Sequence, residues 1–98
     1  MISDKNDIKE LFSLIASLES AEDCAILFED LCTTKELEQM AQRIKAAKLL
    51  KECKTYNQVM EQCEISSATL SRVSRCVQRG SGGYSKFVPE EGENGGDN

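Results

Sequence analysis

The chain has 98 residues and a net charge of −5, with no histidine and no tryptophan. That length makes one domain with a small core, for which oligomerisation is a natural supplement. No apolar run approaches the roughly 20 residues needed to span a bilayer, and the polar, acidic start MISDKNDIKE is not a signal peptide, so a cytoplasmic protein without a membrane partner is expected.

Taken in chain order, the first predicted helix covers Ile8 to Leu18, where Ile8, Leu11, Phe12, Ile15 and Leu18 recur at helical spacing and Ser3 or Asp4 supplies the cap. A second runs from a cap at Ser20 to Leu31, with Glu22 and Asp23 in its first turn, where the helix dipole favours acids. The longest runs from Thr34 to Glu52. Thr34 has Leu37, not an acid or amide, three residues on, so no capping box is read there, although Glu36 suits the N-terminus. Its expected inner stripe is Leu37, Met40, Ala41, Ile44 and Ala47, widened by Leu49 and Leu50. Its bases gather toward the C-terminus, where the dipole alone accounts for them.

Two short helices follow, over residues 55–63 and 67–78. Thr55 and Gln58 have the spacing of a capping box. Val59 and Cys63 share a buried side, Met60 fills the angle between the helices, and Glu64 and Ile65 make the turn, with Ile65 as a plug beneath it. Ser66 caps the second helix. Leu70, Val73 and Val77 form that helix's inner stripe, and Ala68, Ser71, Arg72, Arg75 and Arg79 lie opposite. This is the plan of a helix-turn-helix, in which small side chains let the backbone approach base edges and arginines reach guanine or phosphate. Taken alone, the stripe is also the pattern of an ordinary solvated helix face.

Charge distribution separates the two readings. Residues 1–40 carry a net −7, residues 41–88 a net +6 and residues 89–98 a net −4. The basic segment coincides with the two short helices and the one before them, and local charge sets the field a phosphate meets. Beyond Gly80, Tyr84 and Phe87 are expected to dock on the body and PEEGENGGDN to be disordered. The five cysteines (Cys24, Cys32, Cys53, Cys63, Cys76) form no C-x-x-C pair, so each reads as a small buried hydrophobe, and no metal or other cofactor is predicted.

The segments FEDLCTTKELEQMAQRIKAAKLL (28–50), KTYNQV (54–59), SATLSRVSRC (67–76) and GSGGY (80–84) resemble the Trp repressor-like family of bacterial DNA-binding proteins, most closely its YerC/YecD-type members. The resemblance implies an all-α fold, an intertwined homodimer with two helix-turn-helix heads, and a transcriptional regulator of repressor type. Helix-turn-helix proteins commonly place a small residue where Met60 stands and glycine where Glu64 stands, so a left-handed Glu64 and a wider interhelical angle are expected. The Trp repressor holds its amino acid between two arginines. Arg72 matches one, Gln42 falls at the other, and Cys32 and Cys76 fall where supporting hydroxyls are expected. A small-molecule effector is left open, and tryptophan is not expected to be one.

The expected organisation is a dimerisation region over 1–53, a helix-turn-helix over 54–79 and a Gly-rich acidic tail over 80–98. The expected activity is sequence-specific binding of double-stranded DNA, with contacts from Lys54, Thr55, Tyr56, Asn57, Ser66, Ser67, Ala68, Thr69, Ser71, Arg72, Arg75 and Arg79. The alternative is a dimeric helical protein-interaction module without DNA binding. Catalysis is not expected: there is no histidine, no Gly-rich phosphate loop and no base beside a cysteine.

Overall fold

The computed structural model describes residues 5–89. Six helices follow one another: α1 (Asn6–Ala16), α2 (Ala21–Leu31), α3 (Thr34–Lys51), α4 (Tyr56–Gln62), α5 (Ser67–Arg79) and α6 (Gly83–Phe87). No strand occurs among the described residues, so the all-α expectation holds. The chain divides into two compact units, one ending at Leu37 and one beginning at Glu38.

In the first unit, α1 starts and stops two residues before its predicted bounds. Its N-cap is Lys5, with no side-chain cap, and the expected caps Ser3 and Asp4 lie outside the described residues. It stops at Ala16 because the Ser17 hydroxyl donates to the Leu14 carbonyl at 2.6 Å, competing for an acceptor that the next helical amide would need. Ser20 caps α2 as expected, accepting from the Asp23 amide at 3.0 Å, while Asp23 Oδ2 accepts from the Glu19 amide at 3.2 Å. α3 starts at Thr34 as expected, and its cap is Thr33, one residue earlier. Thr33 Oγ1 accepts from the Glu36 amide at 3.0 Å and Glu36 Oε1 from the Thr33 amide at 2.8 Å, a complete capping box. Neither α1 nor α2 has a buried residue.

The second unit holds a core in which Ala46, Ala47 and Leu49 of α3 meet Val59 and Cys63, then Leu70 and Val73 of α5, and Val88; Leu50, Ile65, Val77 and Tyr84 pack around it. The predicted α3 stripe holds at Ala47, Leu49 and Leu50 and is corrected elsewhere. Ala46 is fully buried, whereas Ala41 and Ile44 are exposed. At about 100° per residue, Ala46, Leu49 and Leu50 lie on the side of α3 opposite Ala41 and Ile44. The helix therefore carries two apolar faces, and this unit covers one. Met60 is likewise exposed and does not fill the interhelical angle, which Val59, Cys63 and Ile65 occupy. Only Cys63 of the five thiols is buried, and Cys53 is exposed. Burial pushes the Cys63 thiol up, against a smaller opposite pull from Lys45, which suits a neutral core group.

The left-handed residue near the helix-turn-helix is Cys53, at φ 67°, and Glu64 is not left-handed. Cys53 ends α3: its amide donates to the Leu50 carbonyl at 2.9 Å and the Lys54 amide to Leu49 at 3.1 Å. That is the Schellman pattern, whose left-handed position usually takes glycine. The chain instead leaves α4 through an extended Cys63, so the turn needs no left-handed residue at Glu64.

At the far end, Gly80 lets the chain close over α5, since a Cβ there would lie 2.5 Å from the Cys76 carbonyl oxygen. α6 packs on α5. Ser85 Oγ donates to the Val77 carbonyl at 3.1 Å, and Lys51 Nζ donates to the carbonyls of Ser85 (3.0 Å) and Val88 (2.5 Å). Lys51 thus serves as a clamp at the C-terminal end of α6, where carbonyls lack helical partners. Tyr84 docks as expected, but Phe87 is 74% exposed and Val88 takes the buried place. Tyr84 and Val88, four residues apart, share the inward side. Apart from Pro89, the segment expected to be disordered lies outside the described residues.

Candidate nucleic-acid interface

The sequence dictates how α4 and α5 are set. Thr55 Oγ1 accepts from the Gln58 amide at 3.2 Å and Gln58 Oε1 from the Thr55 amide at 2.8 Å, completing the predicted box. Ser66 Oγ accepts from the Thr69 amide at 3.1 Å and starts α5. Leu70 and Val73 are buried and Val77 is half-buried, as the spacing predicts. Ser74, also buried, was not anticipated; its hydroxyl accepts from Gln78 Nε2 at 3.3 Å, so burial leaves no polar atom unpaired there.

Opposite this inner side, Ser67, Ala68, Ser71, Arg72, Arg75 and Arg79 are all exposed. They occupy an arc of roughly 140° around the axis, and Arg72 and Arg79 are separated along it by about 10 Å. Small side chains fill the first turn and guanidinium groups the next two. None of the three arginines has a carboxylate partner among the described residues, so the arc presents unneutralised positive charge. The N-terminal turn of α5 also points unpaired amides outward, adding to the positive field.

The remaining predicted residues fall into two groups. Lys54, Tyr56 and Asn57 are exposed at the start of α4. The hydroxyls of Thr55, Ser66 and Thr69 already serve the helix starts: Thr55 and Ser66 as caps, and Thr69 Oγ1 as acceptor from Ser66 Oγ at 2.9 Å. Thr69 is half-buried and lies off the outward arc.

Beside the turn between α4 and α5 is a cleft of about 210 Å³ whose lining includes Gln42, Arg43, Glu64 and Thr69. Gln42 reaches across from α3: its Oε1 accepts from the Glu64 amide at 2.9 Å. Sequence reading missed this contact, and the clamp by Lys51, because the partners are 22 residues apart in one case and 34 and 37 in the other. Nothing in local spacing encodes either.

A short capped helix, a tight turn and a second helix with a bare basic face define a helix-turn-helix protein. The comparisons narrow that class. Residues 6–91 match the family described as Trp repressor protein, and the chain belongs to that family, which is one of regulators and not of enzymes. It is 40% identical over 78 residues to the YerC protein of Bacillus subtilis (strain 168), covering 80% of this chain and 75% of that one. A crystal structure of a proposed Trp repressor from Staphylococcus aureus superposes with a TM-score of 0.82 at 37% identity, covering 86% of this chain and 84% of the other. A TrpR-like protein from Eubacterium eligens ATCC 27750 gives 0.83 at 34% identity, covering 94% and 92%. Among the described residues, no helix is long and apolar enough to cross a membrane, and no cluster of three or more His, Cys, Asp or Glu side chains suits a metal ion.

Proposed function

We propose that the protein is a homodimeric, sequence-specific DNA-binding transcriptional regulator of repressor type that works in the cytoplasm and reads the major groove with α5. The observation that carries this reading is the outward face of α5. Three arginines without ion-pair partners among the described residues lie beyond a first turn of small side chains, on a helix pinned from behind by Leu70 and Val73. Ser67, Ala68 and Ser71 let the backbone approach base edges, and the arginines reach guanine or phosphate. Lys54, Tyr56 and Asn57 meet the sugar-phosphate backbone from the start of α4, and the capping hydroxyls of Thr55 and Ser66, the latter bonded to Thr69 Oγ1, hold the two helix starts against it. Family membership supports the same reading.

Fluorescence anisotropy on DNA selected from a random pool tests it. The logarithm of the affinity is expected to fall with the logarithm of salt at a slope of about −0.9 for each phosphate neutralised. Binding that is flat with salt would favour the protein-interaction reading.

The dimer is supported by the second apolar face of α3. Ala41 and Ile44 lie exposed on it although the opposite face of the same helix is in the core. In the first unit Phe12, Leu14, Ile26 and Leu31 are all about half exposed or more, at 49, 50, 63 and 49%. Apolar area of this kind marks an association surface, and a twofold partner copy is its simplest occupant.

Tryptophan is expected to bind weakly or not at all. Where the resemblance expects a pocket arginine this chain has Gln42, whose acceptor oxygen is engaged by the Glu64 amide. A ligand carboxylate loses a charge-assisted partner there, worth roughly 1.5–3 kcal/mol. Calorimetric titration is the check, and a low-micromolar dissociation constant for tryptophan would contradict the expectation.

A further inference from the structure

The core beneath the helix-turn-helix holds it to α3 without steering it. On the α3 side that core is made by Ala46 and Ala47, both fully buried, and by Leu49. Alanine methyl groups offer a shallow surface, and apolar contact is non-directional. The directional link at the turn is the bond from the Glu64 amide to Gln42 Oε1. Gln42 lies one helical turn before Ala46, so this bond acts beyond the edge of the apolar contact, where a small change in tilt gives the largest displacement. Its polarity is dictated by the chain: Glu64 offers a backbone N–H, so the amide of Gln42 must present its oxygen. The neighbouring Cys63 amide is already satisfied by the Val59 carbonyl at 2.9 Å.

We propose that Gln42 is a positioning residue for the DNA-reading head: by accepting from the Glu64 amide it fixes the turn between α4 and α5 on α3, and with it the direction in which α5 is presented. The proposal rests on the DNA-binding reading above and deepens it. Two heads held at a fixed tilt in a homodimer prefer one separation of half-sites, because each added base pair moves and rotates the second half-site. A head free to rock tolerates several separations.

The test compares the full chain with Gln42→Leu, which removes the acceptor at similar size, and Gln42→Glu, which keeps an acceptor oxygen. Half-sites selected with the parent protein are placed at the preferred separation and at one and two base pairs either side. Amide hydrogen exchange is followed at Glu64. The parent is expected to favour one separation by roughly tenfold or more, an effect comparable to losing one good contact. Gln42→Leu is expected to flatten that preference to about twofold and to speed Glu64 exchange about tenfold, as loss of one hydrogen bond implies. Gln42→Glu is expected to restore both, which a general loss of packing does not predict. Should Gln42→Leu fail to fold, Gln42→Ala is scored in the same way. Unchanged exchange at Glu64, or faster exchange with the separation preference intact, overturns the proposal while leaving DNA binding standing. A parent protein with no salt-dependent DNA binding removes the DNA reading itself, and the proposal falls with it.

Discussion

Replacing Arg72 and Arg75 together with alanine is expected to weaken binding to a selected operator by roughly a hundredfold or more, since each arginine contact to a base edge is worth about 1–3 kcal/mol. Both side chains are exposed, and neither has an ion-pair partner among the described residues. Truncation therefore leaves no buried charge behind and the fold intact, and the loss reports on DNA alone. Arg75 sits near the middle of the outward arc, so its removal alone is expected to relax discrimination at one base pair. Removal of Arg79, at the C-terminal end of α5, is expected to weaken all sequences alike and to lower the salt slope by about one unit. Anisotropy at several salt concentrations measures both, with circular dichroism confirming the fold. If the folded, dimeric double variant binds the operator as tightly as the parent, α5 is not the reading helix, and the protein-interaction reading takes the lead.

The second large effect is expected from Ile44→Asp. Ile44 is 44% exposed and faces away from Ala46 and Leu49, so a carboxylate there leaves the core contacts of those two residues untouched. In a dimer the same carboxylate is trapped against apolar surface, at a cost of roughly 3 kcal/mol or more, which is about a hundredfold in dimer dissociation. Sedimentation at micromolar concentration is expected to give twice the chain mass for the parent and a shift toward the monomer for the variant. Operator affinity is expected to fall as well, because separate heads lose an avidity of roughly 10²–10⁴. A parent that sediments as a monomer, or a variant that stays dimeric, counts against the dimer reading at this face.

The local parts of this molecule were legible from the sequence, because they depend on neighbours three or four residues away. The caps at Ser20, Thr55 and Ser66, and the inner stripe of Leu70, Val73 and Val77, follow from spacing alone, and so does the exposed arginine stripe opposite them. The capping box at Thr33 and Glu36 is equally local, one residue before the expected helix start at Thr34.

What spacing does not contain was decided by packing. α3 is apolar on two sides, and periodicity does not say which side its own chain covers: the second unit took Ala46 and Leu49 and left Ile44 outside. At the C-terminal end, Phe87 has the larger apolar side chain, yet Val88 is buried, because Lys51 holds the carbonyls of Ser85 and Val88 and sets how α6 meets α5. The left-handed residue falls at Cys53 and not at Glu64, because α3 closes with a Schellman pattern while the turn after α4 runs extended. The bond between Gln42 and Glu64 joins residues 22 apart that meet only after the core has formed. The sequence by itself therefore determined the helices, their starts and the chemistry of the exposed face of α5. Only the tertiary structure decided which faces are covered and how the head is tied to α3, because those are contacts between distant segments, and hydrophobic spacing within a helix is blind to them.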